Sequence, residues 1–241
     1  MLSISINFTM AEITPINQRK SLFYAETIEA LQSCRDTGYH PADMITIADE
    51  RIAAPNNSPL WHNLLSSTSI RATGYTKQGH TVDVYVHNHL TNHFGDPARI
   101  KQARERGLWY YAACLSQPEF QAMVDADGST DVRGNRLVWA VDHGNLRESP
   151  SGVIPVDQAL DHPQTIPFLG GQKRAEQYLS RHKEVIGSGI GVWHINNLNN
   201  TPVAYVLCLG GDLNGLDGDG NLSYIDTRVL GVREGSAAGA T

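Results

Sequence analysis

Three of the ten histidines fall within seven residues, as His87, His89 and His93 in Tyr85-Val-His-Asn-His-Leu-Thr-Asn-His93. Neutral imidazole is a common ligand for zinc, iron and copper, and a catalytic site typically joins three protein ligands to an open position. Two more histidines close apolar stretches, His143 after Val-Trp-Ala-Val-Asp142 and His194 after Ile-Gly-Val-Trp193. Histidines at the ends of separate strands can converge on one pocket, where Asp142 would add a carboxylate or orient an imidazole. The chemistry this predicts is metal-assisted. A divalent transition metal on His87, His89, His93 and His143, with His194 as an alternative ligand, would polarise a substrate oxygen or activate water.

The spacing H-x-H-x-x-x-H departs from the H-x-H-x-D-H of metallo-β-lactamases and from the helical H-E-x-x-H. The competing explanation is structural. Scattered histidines satisfied by hydrogen bonds, with Asn88, Asn92, Asn196 and Asn197 as turn formers, account for the same letters. Without a metal, His87 or His143 could still serve as a general base, because imidazole titrates near neutrality.

Two further stretches could hold ligands. The run Gly210-Gly-Asp-Leu-Asn-Gly-Leu-Asp-Gly-Asp-Gly-Asn-Leu-Ser-Tyr-Ile-Asp226 resembles the calcium loops of dockerins and EF-hands. That resemblance implies Asp212, Asn214, Asp217, Asp219 and Asp226 as oxygen ligands. It lacks an acid at Gly215, where the loop would begin, and a Gly/Asp/Asn-rich hairpin explains the composition equally. The second is Leu169-Gly-Gly-Gln-Lys-Arg174, where Gly170 and Gly171 open a helix carrying Lys173 and Arg174 in its first turn. Free backbone N–H groups there can hold a phosphate or carboxylate, although both cations also suit a plain surface.

The elements that must position these residues read as mixed helix and strand. Val82, Val84 and Val86 share one face of a strand, and Thr81, Asp83, Tyr85, His87 and His89 share the other. A hairpin through Thr76-Lys-Gln-Gly79 joins it to a strand over Ser69–Tyr75. Helices are expected over 21–35, over 44–53, from Asp96-Pro97 to Arg106, after the Ser116-x-x-Glu119 capping box, and from Gly171 to Val185. Leu108–Leu115 is apolar throughout and could be either element. Ile190–Ile195, Val203–Leu209 and Leu222–Val232 read as a C-terminal β-meander. The expected class is α+β with a mainly antiparallel sheet. Residues 1–20 form an N-terminal extension or edge strand, 21–234 a single domain, and 235–241 a tail expected to be disordered.

Composition narrows the partners. A net charge of −6 with no dense Lys/Arg cluster argues against nucleic acid, and no apolar run approaches a membrane span. Three dispersed cysteines, Cys34, Cys114 and Cys208, suit reduced thiols in a cytoplasmic protein. The leading expectation is therefore a soluble, metal-assisted enzyme acting on a small molecule. The alternatives are a non-enzymatic binding or assembly protein, homo-oligomeric through a sheet edge, or an anion or nucleotide binder at Gly170–Arg174.

Overall fold

The structure, a computed structural model, describes residues 11–87 and 94–233. The strands are β1 Glu12–Asn17, β2 Lys20–Ala25, β3 His40–Pro41, β4 Leu65–Tyr75, β5 Thr81–Val86, β6 Leu108–Trp109 and β7 Ala112–Cys114. They continue as β8 Val138–Asp142, β9 Gly152–Pro155, β10 Gly189–Trp193, β11 Val203–Leu209, β12 Leu216–Gly220 and β13 Thr227–Val232. The helices are α1 Thr27–Asp36, α2 Met44–Ala53, α3 Pro59–His62, α4 Pro97–Arg106 and α5 Gln117–Asp125. After them come α6 His143–Arg147, α7 Val156–Ala159, α8 Thr165–Leu169 and α9 Gln172–Val185. The protein is an α+β fold built on a large, mostly antiparallel sheet with the path β1-β2-β13-β4-β11-β12-β10-β9.

Strand parity explains the layering. Along β11, Leu207 and Leu209 enter one core with α2, α8 and α9, while Ala204, Val206 and Cys208 enter the other with α1, α4 and α5. Both faces of the central strands are covered, so β11 reads as an unbroken apolar run. The same split divides Tyr85 from Val84 and Val86 on β5, and Leu230 from Val229 on β13.

Several local signals act as the sequence indicates. Asp96 caps α4 with Pro97 in its first turn, and Ser116 and Glu119 form the capping box of α5. The helix expected over 21–35 begins only at Thr27. Leu22 and Phe23 bury in opposite cores, a period-two demand that makes Lys20–Ala25 a strand. The C-terminal strands join this sheet, but not in chain order. β12 lies between β11, to which it is antiparallel, and β10, to which it is parallel, whereas β13 pairs with β2 and β4. β1 forms one edge. The first ten residues of the expected N-terminal extension or edge strand, and the tail expected over 235–241, lie outside the described residues.

Candidate functional site

Register gathers the polar side chains. Tyr205 on β11 pairs with Arg71 on β4, Arg71 with Tyr85 on β5, and Tyr85 with Trp139 on β8. The neighbouring row, two residues along, is Val203, Thr73, Asp83 and Val141. Side chains two apart share a face, so Arg71, Thr73, Asp83, Tyr85 and Tyr205 form one polar island at the end of an otherwise apolar layer.

The island is fully enclosed. Arg71 and Asp83 are both 0% exposed, with Arg71 Nε 3.6 Å from Asp83 Oδ1. The Arg71 guanidinium lies 5.2 Å from the Tyr205 ring and donates through Nη2 to the Ile195 carbonyl at 3.0 Å. Burial works against its charge, but Asp83, Tyr85 and Asp219 overturn that effect and hold its proton more tightly than usual. Asp83 Oδ2 receives His143 Nδ1 at 2.7 Å, and His143 Nε2 reaches the Asn196 carbonyl at 3.4 Å. Through Ile195 and Asn196, the buried pair thus holds the irregular segment 194–202 that closes over it.

His194 heads that segment, 5% exposed, its ring 5.5 Å from His162. His162 accepts from the Gln164 N–H at Nδ1 and donates from Nε2 to the Pro150 carbonyl, the pattern of a neutral ring. Burial, then Arg71, then His162 push His194 down to about 4, and burial also lowers His162. Each folded pKa lies below the unfolded value near 6.5, so the unfolded chain takes up the proton first. The stability that His194 contributes is therefore complete above about pH 6.5 and lost as pH falls toward 4, and His162 adds to the loss in the same direction. Urea midpoints measured near pH 7 and pH 5 should separate. His194→Phe should shrink that separation, and an unchanged gap would refute the assignment.

An exposed rim surrounds the segment. Trp193 donates from Nε1 to the Leu213 carbonyl at 3.2 Å, and Leu213 and Val153 are the nearest side chains to Gly189. Gly191 and Gly215 permit this approach. A Cβ on Gly191 would lie 2.0 Å from the Leu213 oxygen, and Gly215 has φ +44°. Leu213, Val153 and Trp193 are the large side chains open to water here, at 57%, 49% and 36%.

Among the described residues, the predicted ligands His87 and His143 are held apart. His87 is buried with both nitrogens engaged. Nε2 donates to the Pro167 carbonyl at 2.6 Å, and Nδ1 meets Ser69 Oγ, which itself accepts from the Met44 N–H. His143 hydrogen-bonds Asp83, which lies about 13 Å up the strand from His87. His89 and His93 lie outside the described residues. Asp142 caps α6 through the Gly144 N–H at 2.7 Å. Among the described residues, no three His, Cys, Asp or Glu side chains are grouped to hold a metal.

The acidic run is divided by structure. Asp212–Asn214 form a 3-10 turn, Asp217 and Asp219 lie on β12, and Asp226 follows beyond it, beside Tyr24. Burial, then the side-chain hydrogen bond with Asp219, push Asp217 well above the usual carboxylate range. At the glycine pair, Gly170 is the left-handed C-cap of α8 and Gly171 the N-cap of α9. Arg174 turns back to the Leu169 and Gly170 carbonyls and to Asp49, in a cleft of about 420 Å³, while Lys173 is exposed.

No family model matches this chain, and no curated protein sequence does. A solved structure described as "Accommodation of massive sequence variation in Nanoarchaeota by the C-type lectin fold" does match, with a TM-score of 0.80 and 39% identity. The match covers 91% of this chain and 100% of that one. The chain belongs to the C-type lectin fold family. This overturns the metal-assisted enzyme expected from the histidines: the relative is a C-type lectin fold, and the His87 and His143 imidazoles serve internal hydrogen bonds. Sequence reasoning missed Arg71 and Tyr205 because each is a single polar residue in an apolar strand. The alternation Ser69, Arg71, Thr73 was the available signal for a polar row on one face of this C-type lectin fold.

Proposed function

We propose that this chain is a non-enzymatic binding protein that recognises its ligand through the segment closing over the polar island. The covering segment is 194–202, and beside it the Asp212–Asn214 turn accepts from Trp193 at the Leu213 carbonyl. The observation that carries this is the 39% identity to a C-type lectin fold structure described as accommodating massive sequence variation. Accommodation of that kind requires a scaffold whose stability does not depend on its outermost side chains. Here the Arg71–Asp83–His143 network fastens the covering segment through the Ile195 and Asn196 carbonyls. The side chains of Asn197, Asn200 and Leu213 are exposed to solvent. Recognition would then be set by exchangeable side chains on a fixed backbone, with no reacting group required.

The test is a glycan and protein array probed with the whole chain, followed by joint replacement of Asn197, Asn200 and Leu213 by serine. The expected result is a bound ligand whose affinity falls at least about tenfold in the variant, while its melting temperature changes by less than about 3 °C. Binding that survives the replacement, or a variant that unfolds, overturns the reading. No helix among the described residues is long and apolar enough to cross a membrane. A cytoplasmic location, suggested by the three free cysteines, belongs to the same proposal.

A further inference from the structure

The turn between β1 and β2, the first half of α2, the end of β13 and the turn at 131–135 border one open cleft of about 710 Å³. Four cations line it, Arg19, Lys20, Arg133 and Arg233, against a single acid among the described lining residues, Glu50. Glu50 is already paired with the Lys20 ammonium. Three guanidinium charges therefore share the cleft with no lining acid to offset them, on a chain of net charge −6. A concave site of one charge sign focuses the field and draws counter-ions.

The backbone fixes where these cations start. The Arg19 N–H donates to Asn17 Oδ1 at 2.8 Å, and the Arg233 N–H donates to the Arg19 carbonyl at 2.9 Å, which ties two of the three together. The Arg233 guanidinium lies 4.1 Å from the Tyr39 ring and donates from Nη2 to the Thr37 carbonyl at 3.0 Å. Both partners are neutral, so they orient the group and leave its charge in place. Arg133 stands on a turn organised by Asp131, whose carboxylate accepts from the Arg133 N–H at 2.8 Å, the Asn135 N–H at 2.9 Å and Asn135 Nδ2 at 2.8 Å. The Asn135 side chain does most to hold that carboxyl below its usual value, and the Arg133 charge contributes least. Asp131 is thus committed to its own turn. Arg19 and Arg133 are exposed, and their side chains have no hydrogen-bond partner among the described residues, so the fold does not account for them.

We propose that this cleft binds a small molecule carrying two phosphate groups, gripped by the Arg19, Arg133 and Arg233 guanidiniums. The planar fork of arginine meets phosphate oxygens two at a time, and two phosphates bring about three to four negative charges to three cations. The volume falls within the range of about 300–1,000 Å³ typical of small-molecule sites, which favours a compact ligand over a polymer. This site goes beyond the recognition assigned to 194–202 and does not depend on it.

The test is titration calorimetry of the whole chain at low salt with pyrophosphate, orthophosphate, citrate and oligothymidylate. Pyrophosphate should bind about tenfold or more tighter than orthophosphate or citrate, and at a hundredfold excess over its Kd should raise the melting temperature by about 5–10 °C. Arg19→Gln/Arg133→Gln should weaken pyrophosphate at least about tenfold, while the ligand-free melting temperature stays within about 3 °C. Each single substitution should cost at least about threefold, which keeps the test decisive should the double variant fail to fold. Lys77→Gln/Lys101→Gln removes the same charge from exposed positions elsewhere and should leave binding unchanged. No binding of pyrophosphate, no preference for it over orthophosphate and citrate, equal weakening by the lysine pair, or tighter binding of oligothymidylate overturns the proposal. The serine variant at Asn197, Asn200 and Leu213 leaves this cleft intact, so failure here and failure of the array test are read separately.

Discussion

Asp83→Leu should lower the unfolding free energy by about 3–5 kcal/mol, because it strands a buried cation. Asp83 is the carboxylate facing Arg71, both side chains are fully enclosed, and the same carboxylate receives His143. Removing it leaves the guanidinium without its counter-charge in a site that water does not reach. The double variant Arg71→Met/Asp83→Leu removes both charges and should regain most of the loss, since apolar replacement of a whole buried pair is often close to neutral. Urea unfolding of the two single variants and the double closes the cycle. If the double variant is as weak as the sum of the singles, Arg71 and Asp83 do not act as a unit. The double variant should also loosen the 194–202 segment, because the Ile195 carbonyl loses its donor.

Arg51→Met should cost a similar amount, again about 3–5 kcal/mol, and lower the melting temperature by roughly 10 °C. Arg51 on α2 is fully buried and donates from Nη1 to the Tyr178 hydroxyl at 3.1 Å and the Gly210 carbonyl at 2.5 Å. Nη2 donates to the Asn63 carbonyl at 2.6 Å and the Leu209 carbonyl at 2.7 Å. One guanidinium thereby ties α2 to the end of β11, the approach to β4 and the inner face of α9, where Tyr178 also stacks on Trp61 at 5.6 Å. Methionine fills comparable space but leaves these acceptors unpaired. Arg51→Lys should recover only part of the loss, because an ammonium cannot reproduce the planar fork. Full recovery by lysine would mean that charge alone, not donor geometry, holds the junction.

Local chemistry in the sequence set much of the fold. The capping signals at Asp96 and Ser116, the helix over Met44–Ala53 and the hairpin closed by Gly79 each rest on neighbours within a few residues. Alternation along Thr81–Val86 correctly placed Asp83, Tyr85 and His87 on one face, because side-chain direction in a strand depends only on parity. Leu108–Leu115 was ambiguous, since the turn at Tyr110 and Tyr111 carries none of the usual turn residues. The hydrogen bond that fastens it comes from the Leu222 N–H, more than a hundred residues away.

The histidines mark where reading by spacing fails. An imidazole's role depends on what meets its two nitrogens, and for His87 those partners are Ser69 and Pro167, while for His143 they are Asp83 and Asn196. The amino-acid order alone determined the class, the faces of the strands and the absence of any charge excess suited to nucleic acid. Only the tertiary structure decided that Arg71, Asp83 and Tyr205 would be one buried island beneath an exposed rim. The physical reason is that cross-strand register and loop closure join residues far apart in the chain, and neither is written in any local period.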